Sequence, residues 1–351
     1  MALAVEKSWP AEASLRGIAV TRYQHGLPTK RIRVVEAGHP VPDEAGENAA
    51  KEILAEVKAL GSDDLLLALL SGGGSSLLSL PAPGISMSEL KALTGRLLKS
   101  GAEIREMNTV RKHLSSIQGG RLAAACRAPV MALIISDVVG DDPTHIASGP
   151  CAPDPSTIAD AQAVLAKYGI EFPKPLSETP KPGDALFSKV KNQVIATAYR
   201  SLEAAAEVFR KNGFKPTILG DTITGEAREV GREMAQLARR TKGPAALISG
   251  GECTVTLEDE GGRGGRCSEF LLSLGVETGG IWAIAADTDG IDGTQDNAGA
   301  ILTPESMRQG HDARAYLARH DSYGFFSALG DLVITGPTRT NVNDYRAILV
   351  L

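Results

Sequence analysis

The chain has 351 residues, 43% of them hydrophobic, which is enough for two domains with sizeable cores and excludes a disordered or fibrous protein. Its 37 Lys and Arg against 42 Asp and Glu leave a formal charge of -5, so it has no general attraction for nucleic acid or an anionic membrane, and a small anionic ligand would need local basic residues. Four widely spaced cysteines, Cys126, Cys151, Cys253 and Cys267, form no CxxC pair, which favours reduced, structural thiols over a disulfide framework or a zinc site. At the start, residues 1–7 read as the latter part of a helix and 18–21 as a strand, as though the chain begins partway through an α/β unit. There is no eighteen-residue apolar stretch and no signal-peptide h-region in MALAVEKSWP, so a cytoplasmic protein is expected. Residues 44–60 place Ala45, Ala49, Ile53, Val57 and Leu60 near one helical face, expected to pack on a strand ending near Leu70.

That strand runs directly into Ser71, Gly72, Gly73, Gly74, Ser75 and Ser76. Glycines without a Cβ let backbone N–H groups converge on an oxyanion, and a following helix start would add free donors and a positive end. Phosphate is the first ligand to consider, and an ordinary tight turn is the other reading. A capping box, Ser86 with Glu89, then opens a helix on which Leu90, Leu93, Leu97 and Leu98 recur at helical spacing as core. Arg111 and Lys112 are candidates for opposing a carboxylate or phosphate, and His113 either orients a substrate or is structural. The apolar run 130–135 ends in Ser136 and Asp137, and a carboxylate just beyond a strand is well placed for Mg²⁺ or a substrate hydroxyl. Its plain alternative is a strand-ending turn with Asp141 and Asp142 solvated. Thr157, with Asp160 at N3, caps the next helix after a proline-rich loop. Loops over 168–184 and a fresh series from Val190 divide the chain into domains 1-188 and 189-351.

In the second domain, helices over 201–212 and 226–240 bracket a short strand at 217–219. A strand at 246–249 leads to Gly250, Gly251 and Glu252; GGRGGR fills 261–266; and a strand at 281–286 leads into DTDGIDG at 287–293. This set suits phosphoryl transfer: arginine balances phosphate charge, carboxylates hold Mg²⁺, and glycines admit a nucleotide backbone. Arg266 is the candidate transition-state cation, with a rim salt bridge as the alternative. DTDGID lacks the full EF-hand pattern, which excludes calcium sensing. The run 332–344 ends a further strand with polar groups, among them Asn341 and Asn343, suited to a phosphate or nucleotide edge or to a solvated hairpin before a final strand at 347–351.

SGGGSS at 71–76, RKHLSSIQGGRLA at 111–123, SDVVGDDPTHIASGP at 136–150, PDPST at 153–157, SGGE at 249–252, GGRGGR at 261–266, DTDGIDG at 287–293 and TGPTRTNVND at 335–344 together resemble the type II glycerate kinase family, also called the MOFRL family. The resemblance covers essentially the whole chain. It implies an α/β fold of two domains, a Rossmann-like larger one and a smaller α/β one with an interdomain cleft, and ATP-dependent phosphorylation of D-glycerate at the 2-hydroxyl with Mg²⁺. It implies nucleotide or substrate contacts by Ser71 to Ser76, Arg111, Glu252, Asn341 and Asn343, catalytic roles for Arg266 and Lys112, and Mg²⁺ on Asp137 and Asp289. Two departures stand out. Family members carry Asn-Gln where this chain has Cys267-Ser268, and their first strand with a lysine-bearing GxGKA turn has no counterpart here, since neither Lys7 nor Lys30 matches it. Two other functions follow from these points. One is a hydroxypyruvate reductase using NAD(P)H, a label that proteins of this kind carry, although SGGGSS is not GxGxxG. The other is a noncatalytic glycerate-binding or scaffold protein. Glycerate and ATP are the expected partners, with neither nucleic acid nor membrane, and a monomer and a homodimer are equally compatible.

Overall fold

A computed structural model describes residues 1–138, 140–172, 175–257 and 261–351. Val139 of the 136–150 motif and Pro173 and Lys174 of the 168–184 loops lie outside the described residues. The chain divides into two units, 1–195 and 196–351.

The first unit opens with α1 (Ala2–Ser8), then β1 (Gly17–Arg22) and β2 (Ile32–Ala37), which pair in parallel. Asp43 caps α2 (Glu44–Ala59) by accepting the Gly46 N–H. β3 (Leu66–Leu70) leads through a single turn, α3 (Gly74–Leu77), to α4 (Met87–Lys99), α5 (Ile104–Lys112) and α6 (Arg121–Ala125). β4 (Val130–Ile135), α7 (Ile158–Lys167) and β5 (Val190–Ala196) complete it, and the sheet order is β3-β4-β5. Because β5 joins this sheet, the division falls at 195/196 and not at 188/189. Both expected capping boxes are present, Ser86 with Glu89 on α4 and Thr157 with Asp160 on α7. α2, with Ala50 and Val57 buried, packs into the same core as Leu70, Val130 and Ile134. Leu90, Leu93 and Leu97 of α4 form a second core with Val110 and Leu165. Leu98 is 66% exposed, because it follows Leu97 by only 100° of helical turn and cannot share its face.

The second unit contains α8 (Ala198–Lys211), β6 (Lys215–Glu226), α9 (Ala227–Arg240), β7 (Ala245–Thr254), α10 (Arg266–Thr278), β8 (Trp282–Asp287) and β9 (Gly299–Leu302). α11 (Ala313–Ala318), α12 (Ser322–Leu329), β10 (Leu332–Val333) and β11 (Asp344–Val350) follow. They build one mixed sheet of order β10-β9-β8-β11-β7-β6, in which β6 and β7 are parallel and β11 is antiparallel to both β7 and β8. Several elements are longer than the sequence suggests. The short strand at 217–219 is a twelve-residue strand whose register shifts around Gly220. β7 continues through Gly250, Gly251 and Glu252, which therefore lie in a strand and not in a turn after one. The final strand begins at Asp344, three residues before 347. α10 has no forecast at all, because every residue from Cys267 to Gly275 is buried and the helix shows no polar face. Among the described residues no helix is long and apolar enough to cross a membrane.

Candidate active site

β3 and β4 run in parallel with Leu70 beside Ile134, so the chain leaves both strands at the same edge of the sheet. That register brings the glycine-rich turn against Asp137. A Cβ on Gly72 would stand 1.9 Å from Oδ2 of Asp137, and one on Gly74 would stand 2.5 Å from Cβ of Ala147, so both contacts require glycine. The helix after the turn is only the four-residue α3, and it turns the Ser76 hydroxyl back to the Gly73 carbonyl at 3.0 Å. The Ser75 hydroxyl lies 2.7 Å from that of Ser148, and its carbonyl accepts from Nη2 of Arg111 and from Nε2 of Gln118 at 2.9 Å. Burial lowers the pKa of the Arg111 guanidinium, and among the described residues no carboxylate pairs with it.

Lys112, the next residue, is committed elsewhere. Its ammonium is 2.8 Å from Oδ1 of Asp154, and the two residues are only 2% and 1% exposed. Asp154 also accepts from the Ser156 N–H and hydroxyl and from the Thr179 hydroxyl. Burial opposes ionisation there, yet the Lys112 ammonium and Ser156 hold the Asp154 carboxyl below its usual range. His113 takes the structural role: it is fully buried, with Nδ1 2.8 Å from the Thr109 carbonyl and Nε2 3.2 Å from Glu178.

In the second unit β11 inserts between β7 and β8, which sets Asp344 opposite Gly251 on one side and Asp287 on the other. Arg266, the first residue of α10, reaches both acids. Its Nε donates to Asp344 at 2.7 Å, its Nη2 to Asp287 at 2.5 Å, and its Nη1 is 3.3 Å from the exposed Glu252. Asp344 passes its other oxygen to the buried Arg346 at 2.6 Å. Burial works against the Arg266 charge, but Asp344 and Asp287 more than offset it and raise its pKa. Burial pushes the Asp287 carboxyl up, against the pull of Arg266. Asp344 and Asp287 are the partners that reading the sequence missed, and Asp344 was visible only as the last letter of TGPTRTNVND.

The remaining candidates serve the loops around this network. Asp289 accepts the Ile291 N–H at 2.7 Å, Asn341 accepts the Asn343 N–H at 2.8 Å, and the Asn343 carbonyl accepts the Thr288 hydroxyl at 2.7 Å. Asp292, fully buried, accepts the Cys267 and Ser268 N–H groups at 2.9 Å each and the Ser268 hydroxyl at 2.6 Å, which caps α10 and fixes Arg266 at its start. Cys267 itself lies in the core, so the two positions that depart from the family pattern fill core and cap. An Asp292→Ala protein should lose about 2–4 kcal/mol of stability in urea unfolding, because the Cys267 and Ser268 amides are left without an acceptor. All four cysteines are buried and unbridged. Among the described residues no group of three or more His, Cys, Asp or Glu is arranged to hold a metal ion.

Residues 1–179 match a domain of unknown function, DUF4147, and residues 245–344 match the MOFRL family. A D-glycerate 2-kinase of Thermotoga maritima is 43% identical over 94% of this chain and 83% of its own. The chain belongs to the MOFRL glycerate kinase family. It is accordingly an enzyme, and its mixed α/β fold with parallel strand pairs is the family's: the crystal structure of a Thermotoga maritima glycerate kinase superposes with a TM-score of 0.88 at 42% identity, covering 96% of this chain and 85% of that one. A family member from Agrobacterium vitis, 52% identical over 100% of this chain and 84% of its own, carries the provisional name hydroxypyruvate reductase.

Proposed function

We propose that this enzyme transfers the γ-phosphoryl group of ATP to the 2-hydroxyl of D-glycerate, giving 2-phosphoglycerate, with Mg²⁺ as cofactor and in the cytoplasm. The observation that carries this reading is the extent of identity with the Thermotoga maritima D-glycerate 2-kinase, 43% along nearly the whole chain. The geometry is compatible with it. Asp137 is held against the backbone of Gly72, beside a turn suited to phosphate. Mg²⁺ is ordinarily held by one or two carboxylates plus phosphate oxygens, so no three-carboxylate cage is needed. Asp137 would hold the Mg²⁺, which when bound would neutralise phosphate charge.

In this reading Ser71, Gly72, Gly73, Gly74 and Ser75 offer backbone donors to the nucleotide phosphates, while Ser76 braces the turn. Arg266 presents the Nη1 edge that now faces Glu252, since Asp344 and Asp287 occupy its other two nitrogens. That edge balances charge on the transferred group. The bond from the 2-hydroxyl oxygen to the γ-phosphorus forms as the bond from that phosphorus to the β,γ-bridging oxygen breaks, ADP leaves with the electron pair, and the hydroxyl proton passes to solvent. The loose transition state of this chemistry asks for positioning and charge balance more than for a strong base. Asn341 and Asn343 shape the loop beside Thr288, and Lys112 acts through the structure, anchored on Asp154.

The test is a pair of assays on one preparation: ADP release with D-glycerate, ATP and Mg²⁺, and oxidation of NADH or NADPH with hydroxypyruvate. ADP release that depends on D-glycerate, without nicotinamide oxidation, is the expected result. Nicotinamide oxidation without any need for ATP would replace this reading by the reductase that the Agrobacterium vitis name suggests.

A further inference from the structure

The glycine-rich turn has ends of opposite charge, with Asp137 closed on Gly72 and Arg111 bonded to the Ser75 carbonyl. In the second unit the arginines buried wholly or in part have a carboxylate: Arg228 has Glu269, Arg346 has Asp344, and Arg266 has Asp287 and Asp344, whereas in the first unit the half-buried Arg121 bonds the Ser177 carbonyl and hydroxyl. Arg111 has only a carbonyl. A guanidinium withdrawn from water without a counter-ion is costly, and an anionic ligand would supply what the fold omits.

The groups around Arg111 suit a small hydroxy acid. Asn108 stands one helical turn earlier on α5, with its Oδ1 3.5 Å from the Ser148 hydroxyl, which is 2.7 Å from the Ser75 hydroxyl. Ser75 thus links Arg111, through its carbonyl, to Ser148 and on to Asn108, through its hydroxyl. Ser148 is held there against its backbone preference, since Ala147, Ser148 and Gly149 have φ of 52°, 58° and 58°. Left-handed backbone is disfavoured for a residue with a Cβ, and such strain persists only where neighbours over-determine it. They do so here: Ala147 is pressed against Gly74, and the Ser148 and Gly149 carbonyls accept the Gly119 and Gly120 N–H groups at 3.0 and 2.7 Å.

We infer that Arg111, Asn108 and Ser148 form the subsite that takes the carboxylate of the hydroxy-acid acceptor, while the Asp137 end of the turn serves the phosphates. This rests on the kinase reading above. Arg111 acts as the anchor and Ser148 as a specificity residue, so an uncharged acceptor such as glycerol is excluded.

The experiment compares the natural enzyme with Arg111→Met and Ser148→Gly in steady-state kinetics and in an NMR titration of D-glycerate without ATP. Loss of a charge-assisted contact should raise the KM and the dissociation constant for D-glycerate roughly 100-fold in Arg111→Met, with the KM for ATP little changed. Ser148→Gly removes the hydroxyl and also relieves the left-handed strain, so it should weaken D-glycerate roughly tenfold without lowering thermal stability, and it carries the test if Arg111→Met does not fold. A rise in the KM for ATP with D-glycerate unaffected would assign Arg111 to a nucleotide phosphate and overturn the inference, as would wild-type D-glycerate affinity in both variants. The titration separates the two readings: D-glycerate binding that Arg111→Met abolishes supports the subsite even if no phosphoryl transfer is detected.

Discussion

Replacing Arg266 with alanine should lower kcat/KM for D-glycerate phosphorylation by roughly 10²–10³-fold, the usual consequence of losing one preorganised transition-state donor. The expectation follows from how the side chain is held. Asp344 and Asp287 grip two of its nitrogens from adjacent strands, the Asp292 cap fixes the helix that carries it, and Arg346 holds Asp344 from behind. Little reorganisation is then needed when charge develops on the phosphoryl group. Alanine also leaves two buried carboxylates sharing one less cation, so stability should fall as well. Arg266→Lys separates the effects: it keeps the charge and most of the stability but cannot make the forked contact to both aspartates, so kcat should remain depressed. A folded Arg266→Ala enzyme with unchanged kcat/KM would remove Arg266 from the chemistry and leave it as a structural brace.

Lys112→Ala should cost about 3–5 kcal/mol in urea unfolding, because it strands the Asp154 carboxylate in a site with almost no access to water. The ionised pair stabilises the fold at neutral pH. Since Asp154 is held below the usual carboxylate range, that contribution is complete above its unfolded pKa and disappears only as pH falls through the depressed folded value. Removing both partners, as Lys112→Met with Asp154→Leu, should recover part of the loss, limited by the Ser156 and Thr179 groups that Asp154 also satisfies. Under conditions where the single variant stays folded, its kcat should remain near the natural value. A protein of wild-type stability with a collapsed kcat would instead make Lys112 the catalytic cation that the family resemblance implies.

What could be read in advance was mostly what is local in the chain. The capping boxes at Ser86 and Thr157, the amphipathic α2 and the apolar β4 all declare themselves within a few residues. α10 could not, because a helix buried on all sides has no polar stripe to reveal its period. β7 was cut short because Gly250 and Gly251 read as punctuation, although the neighbouring strand accommodates them. The glycine turn, Arg111, Asp137 and Arg266 could be named as candidates from composition and spacing. Their partners could not. Asp154 lies 42 residues beyond Lys112, and Asp344 meets Arg266 only because β11 inserts between two strands that precede it in the chain. Nor does anything local in THIAS announce that Ala147 and Ser148 take left-handed backbone, a conformation that packing against Gly74 imposes.

The most direct measurement is a proton-coupled ³¹P spectrum of the product formed from D-glycerate, ATP and Mg²⁺. Phosphate on C2 is split by one neighbouring hydrogen and appears as a doublet, whereas phosphate on C3 is split by two and appears as a triplet. A doublet that requires D-glycerate and is lost in Arg266→Ala is the result this account predicts. A triplet would contradict the assigned hydroxyl, and the absence of any phosphate ester under conditions where the natural enzyme is folded would contradict the kinase reading itself.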